Sequence, residues 1–229
     1  MKPRITEAQW LAAKELNDLD LYRSAWRQHR RWRLFGVACC RRAMTLARDP
    51  RFDILAEGAE RFADGGVTWN EMKAARRVLA AVRRELGDEF GPDEAKHNIL
   101  SALDCASAKN PLDALSAAQH GQFAFAAVSR PKFEAARRKE EQKQLTLARD
   151  IFGNSFRPVA FDSCWRTADV RGLARAIYED RAFDRLPVLA DALMDAGCAE
   201  EPLIDHWRGR GPHVRGCWVL DLALGNTAV

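Results

Sequence analysis

Apolar residues recur along this chain with a helical period, and the pattern is clearest over residues 29–48. Trp32, Phe35, Gly36, Cys39, Ala43 and Leu46 fall at i, i+3, i+4, i+7, i+11 and i+14, which gathers them on one face of a helix. Asp49-Pro50 ends that helix. Upstream, Thr6-Glu7-Ala8-Gln9 has the form of a capping box and predicts a first helix carrying Trp10, Ala13 and Leu16. Asp18 or Asp20 would cap a short second helix reaching Trp26. A helix over 53–63 should stop at Gly65-Gly66. Thr68-Trp69-Asn70-Glu71 is a second capping box, predicting one helix to about Leu86. Pro92, Pro111 and Pro131 each suit a first helical turn, for helices reaching Ser107, Val128 and Phe152.

The segment from Lys132 to Lys143 differs from its neighbours. It is dense in mixed charge, with Glu134/Arg138 and Arg137/Glu141 four residues apart, and reads as a solvated connecting helix. Residues 150–159 form the one irregular stretch, where Gly153-Asn154 supplies a left-handed cap and Pro158 blocks continuation. Helices are expected at 169–180, 183–197 and 200–207. A glycine-rich loop, Gly209-Arg210-Gly211-Pro212, should then present a last helix from His213 to Leu224. The predicted fold is all-α, a multi-helix array or bundle. Its parts are an N-terminal helical subdomain (1–128), a charged connecting helix (129–152) and a C-terminal helical subdomain (153–229).

Composition narrows the class. Hydrophobic residues make up 47% and charged residues 30% of the 229, which fits a folded chain and not a disordered one. Alanine, leucine, arginine and glutamate dominate, and these lose least on entering a helix. The absence of a long apolar run argues against a membrane partner. The polar N-terminal segment argues against a cleaved leader, so a cytoplasmic location is expected. Six cysteines without small-scaffold spacing read as reduced, buried thiols. The seven tryptophans match apolar helix faces and read as core anchors.

The strings WRLFGVACCRR, RDIFGNSFRPV, RAFDRLPVLADALMDAGC and GPHVRGCWVLDLALG resemble those of a bacterial helical protein family with no assigned activity. They cover the first fifty residues and the last eighty. The resemblance implies the same segmentation and supplies no mechanism.

Charge is unevenly spread. Residues 1–48 carry eleven Lys/Arg against four Asp/Glu, whereas residues 150–229 carry nine against twelve. On a helical wheel Arg30, Arg41 and Arg48 project together, opposite the Trp32 face, and such a stripe could follow a phosphate backbone. Leu34, Val37 and Met44 interrupt it, and acidic residues of the C-terminal third could neutralise it. A second candidate is the glycine loop. Arg208, Arg210, His213 and Arg215 around a helix N-terminus would suit an anion or an acidic partner.

His213 and Cys217, four apart on the expected helix, could hold one metal ion with His206 joining across the loop, and zinc is the cofactor that set suggests. The vicinal Cys39-Cys40 could add to it. A Cys217 nucleophile with His213 as base lacks an orienting third group. No Walker loop, GxGxxG, GxSxG or HExxH is present. Since packing accounts for most of these features, the expected function is a noncatalytic helical interaction or regulatory module with another protein as partner and no cofactor. Nucleic-acid binding and a metal-binding protein or enzyme are the alternatives.

Overall fold

Capping chemistry sets the ends of the first helices. In the computed structural model, which describes residues 5–19, 28–87, 93–209 and 211–226, α1 (Glu7–Ala12) opens on a reciprocal Thr6/Gln9 capping box. After a 3-10 turn at Leu16–Leu19 comes α2 (His29–Ala43). The expected helix through Trp26 lies mostly outside the described residues. α3 (Pro50–Ala63) begins with proline in its first turn, and the Asp49 carboxylate accepts the Arg51 N–H. Thr68 and Glu71 form the second box, opening α4 (Trp69–Ala75). The helix expected to run on to Leu86 is interrupted at Arg76 and resumes as α5 (Arg77–Leu86). Then follow α6 (Glu94–Ala106), α7 (Ala114–Ala127) and α8 (Phe133–Phe152). Last come α9 (Ala168–Asp180), α10 (Leu186–Asp195), α11 (Glu201–Arg208) and α12 (Trp218–Leu224). No strand occurs among the described residues, so the all-α expectation holds.

The chain divides by its internal contacts into residues 1–145 and 146–229. In the first unit α2 is the central helix. Trp32, Phe35, Cys39 and Ala43 are fully buried, with the Trp32 and Phe35 rings edge to face at 6.1 Å. Around α2 pack α3, α6 and α7. The division falls inside α8, not at either end of a separate 129–152 linker. Nor is α8 simply solvated. Its Glu140 takes a bidentate pair from Arg42 at 2.6 and 2.8 Å, and its Gln144 is buried against Gln122 and the Ala118 carbonyl.

In the second unit, one apolar core joins Val170 and Ile177 of α9, Leu189 and Leu193 of α10, Leu203 and Trp207 of α11, and Leu220 of α12. Two glycines make its irregular segments possible. Gly153 ends α8 at φ 68°, and a Cβ there would come within 3.1 Å of the Trp218 ring. Gly216 has φ 92° in a turn closed by the Cys217 N–H donating to the Val214 carbonyl at 3.0 Å. Only glycine adopts that conformation without strain.

A candidate metal centre

The turn at Gly216 overturns the helix expected from His213 onward. α12 starts at Trp218, so His213 and Cys217 are not neighbours on a helical face. They meet by another route. Asp150 lies in the last turn of α8, His206 on α11, and His213 and Cys217 on the non-helical segment that leads into α12. All four residues are within the second unit, and their ligand atoms lie within 4.8 Å of one another.

Asp150 Oδ1 is the focus. It is 3.0 Å from His206 Nε2 and 2.8 Å from His213 Nδ1, while its other oxygen accepts the Val214 backbone N–H at 3.1 Å. His206 Nε2 also meets Cys217 Sγ at 3.2 Å. Little water reaches the group. The Asp150 side chain is 4% exposed and Cys217 is fully buried, whereas His206 and His213 are half-buried residues whose side chains are 20% and 7% exposed. The Trp218 ring tilts against His206 at 5.3 Å between centroids.

Charge is shared tightly in this space. Burial pushes the Asp150 carboxyl up, but hydrogen bonds and charge from His206 and His213 outweigh it and hold the group below its ordinary value. Burial disfavours a charged His213, yet its bond to Asp150 and the carboxylate charge keep it above the usual histidine range. Burial, with Asp150 beside it, pushes the Cys217 thiol well up. Proton counting gives the same picture. His213 faces Asp150 through Nδ1 and the Gly209 carbonyl, at 3.4 Å, through Nε2. Both contacts are hydrogen bonds only when both ring nitrogens carry protons. A metal ion at Nδ1 would take the place of one of those protons, and the Gly209 carbonyl would hold the other nitrogen as the donor. This is the usual arrangement behind a metal-bound histidine.

Cysteine catalysis has the three residue types but not their geometry. A triad needs the carboxylate on one ring nitrogen and the thiol on the other. Here Asp150 and Cys217 both meet Nε2 of His206, so the carboxylate does not orient that ring toward the sulfur. With the thiol fully buried and pushed up, Cys217 is a poor nucleophile.

The other sequence candidates separate. Arg215 donates to the Tyr178 and Glu179 carbonyls at 3.2 Å and lies over the Tyr178 ring, tying off the C-terminal end of α9. Arg208 pairs with Asp191 at 2.6 Å. Arg210 lies outside the described residues. With no helix starting at Pro212, the expected cradle of helix N–H groups is not formed there. In the first unit, Arg30 pairs with Asp64 and Arg41 with buried Glu60, both at 2.8 Å, and Arg48 lies beyond the end of α2. These two partners belong to α3 and its C-cap. The cleft beside them is lined by Arg41 and Arg48 but also by Asp49 and Asp53, which breaks the positive stripe. Cys39 and Cys40 are buried on α2 in the first unit.

Asp150 is the residue that sequence reasoning missed. It is an acid in the last turn of a helix, where the exposed carbonyls disfavour negative charge. That misplacement was a signal that cationic or metal partners come from elsewhere. The chain matches no family model, no curated protein and no solved structure. None of the helices is long and apolar enough to cross a membrane, among the described residues.

Proposed function

We propose that this chain is a metal-binding protein, with Asp150, His206, His213 and Cys217 as the ligands of one transition-metal ion. A single observation carries the reading. A carboxylate, two imidazoles and a thiol from three separate chain segments bring their donor atoms within 4.8 Å of one another, the carboxylate and thiol buried and the two histidines half-buried. Polar groups have no apolar reason to converge, and burying the Asp150 carboxylate and Cys217 thiol is costly unless they find hydrogen-bond partners or a cation. The second-sphere bonds favour the same reading, because Val214 N–H fixes the Asp150 carboxylate and Gly209 C=O fixes the His213 ring.

The arginine-based alternatives have less support, since Arg30, Arg41, Arg208 and Arg215 already hold carboxylates or helix-end carbonyls. Elemental analysis of the full chain, purified from zinc-supplemented cells and dialysed, tests the proposal. About one equivalent should be retained, and His213→Ala should retain far less. Wild-type protein carrying only trace metal, and taking up none when zinc is added, would overturn it.

A further inference from the structure

Resting on that reading, we infer that the ion is a zinc-class dication held by all four protein atoms with no open position, and that it fastens the segment 211–217 to the end of α8.

The donor set selects the ion. Magnesium and calcium take oxygen ligands almost exclusively, and here three of the four donors are nitrogen or sulfur. One thiolate with two imidazoles and one carboxylate suits zinc and its spectroscopic stand-in, cobalt(II). Charge selects it again. With Asp150 and Cys217 anionic and both histidines neutral, the ligands total two negative charges, so a dication leaves the buried site neutral. Size agrees as well. Tetrahedral zinc with bonds of about 2.0–2.3 Å places its ligand atoms about 3.3–3.8 Å apart. The 2.8–3.2 Å contacts lie just inside that spacing, and every ligand pair lies within 4.8 Å. Shifts of under about 1 Å therefore convert one arrangement to the other.

Closure follows from what surrounds the donors. Asp150 offers one oxygen, because Val214 N–H takes the other. Cys217 is fully buried, and Trp218 covers one side of His206. The carboxylate and the thiol are thus shielded, and solvent meets the group at its two half-buried histidines. Four protein ligands without an open site are the mark of a structural ion, where catalytic zinc keeps a position for water.

The fastening role comes from chain path. Residues 211–217 belong to no helix or strand. Asp150 receives both His213 Nδ1 and Val214 N–H from this segment, and the proposed ion would add Cys217 to the same anchor. Without that anchor, the Arg215 bonds to the α9 carbonyls still tie the segment to α9.

The test is cobalt(II) substitution of the metal-stripped full chain, with hydrogen exchange of peptides covering 211–217 measured with and without zinc. Intense visible bands of four-coordinate cobalt are expected, with a thiolate charge-transfer band that Cys217→Ser abolishes. Exchange of the segment should slow about tenfold or more on zinc binding. Because the wild-type spectrum alone reports coordination number, the test survives a Cys217→Ser chain that fails to fold. A weak, six-coordinate cobalt spectrum would overturn the closed site. Stoichiometric zinc uptake with unchanged exchange would overturn the fastening. Both leave metal binding itself standing, whereas uptake of neither ion would overturn the functional reading too.

Discussion

Replacing Arg42 by Met would leave the Glu140 carboxylate almost fully buried with its charge partner gone. In the intact protein the two side chains are 27% and 2% exposed, and two N–H···O bonds of 2.6 and 2.8 Å join them. Two opposite charges about 4 Å apart attract by about 4 kcal/mol at the effective dielectric of a protein edge. Breaking a buried pair from one side costs about 3–5 kcal/mol. Since Arg42 keeps partial contact with water, the lower figure applies, and Arg42→Met should lose about 3 kcal/mol in urea unfolding. The double variant Arg42→Met/Glu140→Leu removes both charges and should recover most of that loss, which makes the two sites strongly non-additive. A single-variant loss under about 1 kcal/mol, or losses that simply add, would refute this account of how α2 holds α8.

Arg215→Ala should lower stability by about 1–2 kcal/mol, because the two α9 carbonyls lose a charged donor and Tyr178 its stacked guanidinium. An unchanged melting temperature together with lost anion binding would restore the anion-site reading. Acid should weaken the start of α3. Hydrogen bonds from Arg51, working against burial and aided by Lys96, hold the Asp49 carboxyl at about 2 against about 3.9 when unfolded. Its contribution, about 1–2 kcal/mol after screening, is therefore full above about pH 4 and lost as pH falls toward 2. Asp49→Asn keeps the cap and removes the charge, so the stability gap between variant and wild type should close over that window. A gap constant down to pH 2 would exclude this origin.

How much was legible in the sequence varied with the kind of signal. The α2 core face followed from spacing alone, and both capping boxes formed as written, because each is a local rule acting within four residues. The break at Arg76 carried no such mark, since good helix formers flank it. The fixing contacts, from its guanidinium to the Asp104 carbonyl and Ser107, span about thirty residues. In the candidate centre, His206, His213 and Cys217 were legible as residue types, but the geometry given to them was wrong. Pro212 suits a first helical turn, but the positive φ at Gly216 imposes a turn there and delays α12 to Trp218. Asp150 looked like one more charge on a charged helix, and its meaning depends on groups that arrive from far along the chain.

That distance bears on the order in which the second unit assembles. Asp150 meets His206, His213 and the Val214 amide across 56, 63 and 64 residues. Closing a loop of that length costs about 3–4 kcal/mol in chain entropy beyond a length-independent constant. Few contacts reward such closure until α9, α10 and α11 have packed and brought the ends near each other. The four-residue cluster therefore belongs to the late side of the folding barrier. Substitutions in it should leave the refolding rate nearly unchanged and raise the unfolding rate, and an ion bound there would act chiefly as a brake on unfolding.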